Sequence, residues 1–408
     1  MSTSLKVSEI SSPPVTSALR VEVASSANRF SRIAEAVALS MLFAFSLEAA
    51  CRIEDWIQFR TPILAPERSQ EDLLIRDALG VHGRPGGHFQ KWSLNKFGMR
   101  GPEVAFIKPN EVIRVVTAGA SETFGLYESP GHEYPRQLQD SLNAWFAGHD
   151  RRCVQRDVEV LNAAMPGMTL PTVDQDIRLR VGPLQPDFVV LYPTPAAYLD
   201  DVVPIAARPD RTVRSGPRLP VSNAFFPRVA DRIRVQLKSL LPTALQDRIR
   251  RREINAVLLQ HSANWRFESV PEDRLLKFDA DLRHAVGTVR SVGAVPVLMT
   301  HANRFVGSSD RDEGTLRAWE KFYPRARGAT IVAFDSVARL ATMTVARDSQ
   351  TVLVDLGKEL AGSHQGTFAD YSHFTDLGAA LASRTIAKAI LDWSAQHQKT
   401  SCEFVSSQ

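Results

Sequence analysis

Cysteine is scarce in this 408-residue chain, with only Cys51, Cys153 and Cys402 present. They are scattered and form no CxxC pair, so neither a disulfide framework nor a cysteine zinc site is indicated. An excess of one charge is also missing: 49 Lys and Arg stand against 45 Asp and Glu, a net of +4. That surplus is too small to argue for nucleic acid. No uncharged apolar run reaches the roughly 20 residues of an unbroken membrane span. What is present is ordinary for a folded domain, with 44% hydrophobic residues, 23% charged residues, 24 Pro and 22 Gly. Disorder, collagen-like and coiled-coil readings are thereby excluded. The length allows two or three domains, or one large α/β domain with insertions.

Residues 1–32 are rich in Ser and Thr and read as a mobile tail. Residues 33–51 hold the uncharged run Ala36–Leu47, which extends to about Ile33–Ala50 if Glu35 and Glu48 sit near interfaces. Arg20, Arg29 and Arg32 precede it, and Glu48, Glu54 and Asp55 follow. This asymmetry favours a signal anchor or signal peptide with the body outside the cytoplasm. An ordinary amphipathic helix in a soluble protein is the alternative. Residues 52–110 read as an irregular lead-in segment, rich in Gly and Pro near His82–Gly87. His82 and His88 lie there without the Cys or carboxylate neighbours that a metal would need.

From about 111 the pattern becomes α/β. Val112–Thr117, Val158–Asn162, Asp187–Tyr192, Val295–Thr300 and Thr351–Asp355 are short, β-branched runs. Helical patterns separate most of them, at Tyr134–Ala147, Pro171–Val181, Asp273–Val292 and Ile331–Ala346. Such alternation predicts a parallel, doubly wound sheet of about five strands, with ligands at the carboxyl ends of the strands. A basic insertion at 199–270, running from Arg208 to Arg252, reads as a helical cap with a solvated charged face. A surface for anionic lipid or acidic polysaccharide is the sharper alternative. Aromatic residues are not interleaved through it, so nucleic acid is disfavoured again.

Two segments carry chemistry. After the first strand of the body comes Gly119-Ala120-Ser121-Glu122-Thr123-Phe124-Gly125. Its small residues permit a sharp turn that presents the Ser121 hydroxyl at the carboxyl edge of the sheet. The Lys-Ser/Thr ending of a phosphate loop is absent there, although a helix-capping serine would look the same. Near the C-terminus, Asp370-Tyr371-Ser372-His373 precedes a helix running to about Ala395. Asp and His three residues apart can lie side by side, leaving the second imidazole nitrogen free for a nucleophile. His301 follows the fourth strand and could touch a substrate.

The order and placement of Ala118–Gly125, Asn162–Thr169, the Tyr134–Leu138 helix opening and Asp370-x-x-His373 resemble the SGNH hydrolases, the GDSL esterase and lipase family. The resemblance covers residues 111–397 apart from the insertion. It implies a flavodoxin-like three-layer α/β/α fold and ester hydrolysis through an acyl-enzyme. By position, Ser121 is the implied nucleophile, His373 the base and Asp370 its orienting partner. The N–H groups of Ser121 and Gly167 form the implied oxyanion hole. The family's third block typically supplies an Asn as a further donor, and none stands in Tyr192–Asp200. Thr194 or Tyr198 could supply a hydroxyl instead. The chemistry implies no cofactor and no metal. The implied partner is an ester-bearing small molecule, lipid or cell-envelope polysaccharide, with membrane attachment through the N-terminal helix. An O-acyltransferase using the same three residues, or an inactive glycan-binding envelope protein of this fold, would fit the same pattern.

Overall fold

A computed structural model describes residues 16–61, 63–64, 73–148, 157–200, 226–306, 312–361 and 366–402. Cys153, Arg208, Arg211, Arg214 and Arg218, and the first fifteen residues of the tail, lie outside them. The chain divides into two compact units. One comprises Met1–Glu67 and Gly216–Gln236, the other Arg68–Ser215 and Leu237–Gln408.

In the first unit a single helix, α1, runs from Thr16 to Phe59. The stretch Ser31–Phe59 has a mean hydropathy of 1.7 and is long enough to cross a membrane. Ile33, Val37, Leu39, Leu42, Phe43 and Phe45 are all exposed, so this stretch is apolar all round rather than on one stripe. The acids that end the apolar run are not solvated. Asp55 pairs with Arg228 and Arg232, Glu54 with Arg232, and Glu48 accepts the backbone N–H of Val229. The Arg228–Arg232 stretch of the basic insertion therefore docks onto α1 through paired charges.

The second unit carries nine strands among the described residues. Leu74–Asp77 (β1) and Gly80–Gly83 (β2) form one hairpin, and His88–Phe89 (β3) and Trp92–Ser93 (β4) another. Both lie in the segment that reads as irregular in sequence, because strands of two to four residues are too short to set a period. The main sheet is made of Val112–Gly119 (β5), Asp157–Asn162 (β6), Phe188–Tyr192 (β7), Val295–Met299 (β8) and Val352–Val354 (β9). Its order is β6-β5-β7-β8-β9 and every neighbouring pair is parallel. This is the flavodoxin-like doubly wound order, with the switch point beside β5.

Helices Ser121–Phe124 (α2), Tyr134–Gly148 (α3) and Leu170–Asp176 (α4) follow β5 and β6; a π-helical turn, Ile177–Val181, extends α4. Pro227–Leu240 (α5), Thr243–Leu258 (α6) and Glu272–Ser291 (α7) precede β8. Glu313–Phe322 (α8), Gly328–Asp348 (α9), Leu356–Glu359 (α10) and Asp376–Cys402 (α11) complete the chain. Two apolar cores form on the two faces of the sheet. Val116, Leu191, Phe278, Phe334 and Ile331 belong to one, and Val115, Val190, Leu138, Ile386 and Phe374 to the other. Alternating β5 residues enter opposite cores, as a pleated strand requires. The body is thus a three-layer α/β/α fold.

Arg114, the third residue of β5, is fully buried. Its guanidinium pairs with Glu159 on β6 and donates to the carbonyls of Ala105 and Leu184. The lead-in chain is thereby tied to the sheet at the strand that leads into Ser121.

Candidate active site

Strand β5 ends at Gly119, and the chain turns through Ala120 into α2. A Cβ at Gly119 would stand 2.7 Å from the Tyr192 carbonyl oxygen and would collide with Thr123 Oγ1, so only glycine allows the elbow to pack on β7. Gly125 closes the short helix at φ +82°, where its N–H returns to the Ser121 carbonyl. The turn is held from outside. Buried Arg100 donates to the carbonyls of Phe124 and Gly125, and Trp92 Nε1 donates to Gly125 O. Asn162 Nδ2 donates to Thr123 O at 2.7 Å, which joins the end of β6 to the elbow.

The second loop, after β6, makes a turn in which Met168 N–H returns to Met165 O. Pro166 and Gly167, with φ +82° at the glycine, are the residues a type II turn calls for. The N–H groups of Ser121 and Gly167 take no part in the backbone bonds that close either turn.

At the other end of the sequence, Asp370 Oδ1 accepts the N–H groups of Ser372 and His373. His373 Nδ1 lies 2.8 Å from Asp370 Oδ2, so the carboxylate accepts a hydrogen bond from Nδ1–H. His373 Nε2 is buried and makes no hydrogen bond among the described residues. The rings of Tyr127 and Tyr371 stand edge-on to the imidazole at 5.3 and 5.9 Å. Burial alone would lower the His373 pKa. The hydrogen bond to Asp370 and the charges of Glu122, Asp370 and Glu128 outweigh burial and raise it above 6.5.

The two loops meet. Ser372 Oγ donates to Glu122 Oε1 at 3.0 Å, across 250 positions of sequence. Glu122 Oε2 also accepts from Ser121 Oγ at 3.2 Å and from Thr194 Oγ1 at 3.1 Å. On its far side His301 Nε2 stands 3.8 Å from Oε1, and His301 Nδ1 lies 2.6 Å from Asp335 Oδ1. The latter is a close ion pair rather than an aligned hydrogen bond. Asn303 Nδ2 donates to the other Asp335 oxygen, and Tyr192 stacks on the His301 ring at 5.5 Å. All three titratable groups are buried. Burial would raise the Glu122 pKa, but His301 and His373 hold it well below the usual carboxylate range. Burial would lower the His301 pKa, but Asp335 and Glu122 raise it to about 10.

Both side chains offered by the sequence as replacements for the missing Asn have their protons directed elsewhere. Thr194 donates to Glu122, and Tyr198 donates to Asp281 on α7 at 2.7 Å, with its ring packed on Phe278. Beside the elbow a cleft of about 10 Å³ is bounded by Ala118–Ala120, Met168–Leu170 and Leu191–Thr194.

No protein-family model matches the chain, and no curated protein matches it. Among solved structures it is similar to a lipase/acylhydrolase from Enterococcus faecalis, at 15% identity over 68% of this chain and 95% of that one, with a TM-score of 0.39. It is also similar to an acetylxylan esterase from Geobacillus stearothermophilus, at 12% identity over 68% and 94%, with a TM-score of 0.38.

The structure thus gathers the Ser121 elbow, His373, Asp370, the Gly167 turn and Thr194 at the carboxyl end of the sheet, and sends the Tyr198 hydroxyl away. Sequence reasoning passed over Glu122 and Asp335. Glu122 looks like an ordinary acid in the first turn of a helix, and Asp335 lies inside a helical pattern. The available signal was His301, a histidine directly after a buried strand. His82, one of the two histidines of the lead-in segment, is buried between Gly83 O and Asp77 Oδ1. Among the described residues no group of three or more His, Cys, Asp or Glu could hold a metal.

Proposed function

We propose that this protein is a serine ester hydrolase of the SGNH type. The observation that carries the reading is the Ser372–Glu122 contact, which lays the His373 loop on the Ser121 elbow while Asp370 fixes the imidazole and leaves Nε2 unbonded. In the reaction, Ser121 Oγ attacks the ester carbonyl, its proton passes to His373 Nε2, and the carbonyl π pair moves onto oxygen. The N–H groups of Ser121 and Gly167 receive that charge. Collapse expels the alcohol, which takes the proton from His373, and water then resolves the acyl-enzyme by the same route. Raising the His373 pKa strengthens the base but requires a pH high enough to keep it neutral.

The apolar α1 helix, exposed all round over Ile33–Phe45, supports attachment to a membrane, and the Arg residues ahead of it with the acids behind it favour a body outside the cytoplasm. O-acylated polysaccharide of the cell envelope is then the substrate class we favour. The test is labelling of the full-length protein with a fluorophosphonate probe. Modification should map to Ser121, vanish in Ser121→Ala and slow in His373→Ala. A folded protein that takes up no label would instead be a binding module.

A further inference from the structure

We propose that Glu122 is a positioning residue for the acyl-transfer step: its carboxylate gathers the hydroxyls of Ser121, Thr194 and Ser372 from three separate loops, and the His301–Asp335 pair behind it holds that carboxylate in place. The inference deepens the serine-hydrolase reading and rests on it.

A carboxylate this deeply buried is unfavourable unless it is paired and hydrogen-bonded, and Glu122 has both kinds of partner. Each hydroxyl comes from a different part of the site: Ser121 from the elbow, Thr194 from the loop after β7, and Ser372 from the turn that carries His373. The loop after β7 is where the resemblance calls for an Asn. In this chain the same loop is tied to the elbow through Thr194 and Glu122. Behind the carboxylate, His301 is itself fixed between Asp335 and the Tyr192 ring.

Glu122 is a poor candidate for the base, since three hydroxyl donors and an imidazolium stabilise its ionised form. It stays a carboxylate through the reaction: the Ser121 proton, which Glu122 accepts in the resting site, turns to the unbonded His373 Nε2 and leaves to it. Its influence on catalysis is geometric, through the direction of the Ser121 hydroxyl, and electrostatic, through the charge it places near His373. The other groups facing His373 are Asp370, Glu128, Tyr127 and Tyr371.

The test uses the full-length chain in detergent, with fluorophosphonate labelling and p-nitrophenyl acetate hydrolysis measured from pH 5 to pH 10. Glu122→Gln keeps the size and removes the charge; Glu122→Asp keeps the charge and shortens the reach. We expect kcat of Glu122→Gln to fall about 10–100-fold with KM nearly unchanged, because ground-state binding is not what is lost. Its acidic limb should move to lower pH by roughly half a unit or more, as expected when a negative charge leaves the neighbourhood of the base. Glu122→Asp should lose kcat while keeping the wild-type limb. Wild type that labels at Ser121, with Glu122→Gln matching it in rate and in limb, overturns the proposal and leaves the hydrolase reading intact. Wild type that neither labels nor hydrolyses overturns both. If Glu122→Gln does not fold, Ser372→Ala carries the decision: a 3–10-fold loss of kcat at unchanged KM supports the hub, and wild-type kinetics overturn it.

Discussion

At the scale of single residues the site is governed by which buried charges have partners. Asp370 touches only one side of the His373 ring, yet it accepts two backbone N–H groups as well, so it is locked before it orients anything. Asp370→Asn would keep that turn but favour the wrong imidazole tautomer. Turnover should drop by about 10³–10⁴-fold, with circular dichroism unchanged. Glu128 has a different consequence. Burial pushes its pKa from 4.5 up to about 7, against the opposing pull of backbone N–H groups, Arg100 and Lys91. The folded state therefore holds this proton more tightly than the unfolded chain does. Stability from this group is greatest below about pH 4.5 and declines as pH rises through 7. Glu128→Gln should remove that decline and gain up to about 3 kcal/mol over wild type at pH 8, measured by urea unfolding at both ends of the range.

At the scale of elements, the strands and the elbow were legible because their signals are local. A β-branched run followed by Gly-Ala-Ser marks a buried strand that turns sharply, and β5 does so, ending two residues later than the run itself. The Asp370–His373 turn was legible for the same reason. What stayed hidden depends on pairings made far along the chain. Glu48, Glu54 and Asp55 end the uncharged run in sequence, and only the fold brings Arg228, Arg232 and the Val229 N–H to meet them. The roles of Glu122 and Asp335 likewise exist only once β8 and α9 bring His301 between them. The elbow makes an element-scale prediction. Gly119→Ala forces the β5–β7 contact apart or twists the turn, and should lower stability by about 1–3 kcal/mol and abolish labelling of Ser121.

At the scale of the whole molecule, the chain joins an apolar helix to a three-layer α/β/α body. A second helix, α9, is also long and apolar, with a mean hydropathy of 1.3, but Ile331, Phe334, Ala338 and Val345 pack into the core of the body. Among the described residues of the first unit, Leu39 and Phe43 stay exposed. The full-length protein should remain with membranes in high salt and leave them in detergent. The double substitution Leu39→Arg/Phe43→Arg should move it to the soluble fraction, because each Arg near a helix centre opposes insertion by about 2.5–3.5 kcal/mol. The account as a whole rests on proton transfer between two loops that the fold brings to one end of the sheet. The most direct measurement is the pH dependence of Ser121 phosphonylation by a fluorophosphonate, followed by mass spectrometry in wild type and in His373→Ala. The account predicts a wild-type rate that rises through a single ionisation above pH 6.5, and a variant at least 100-fold slower with that ionisation gone. Equal rates in the two proteins, or label on any residue other than Ser121, would contradict it.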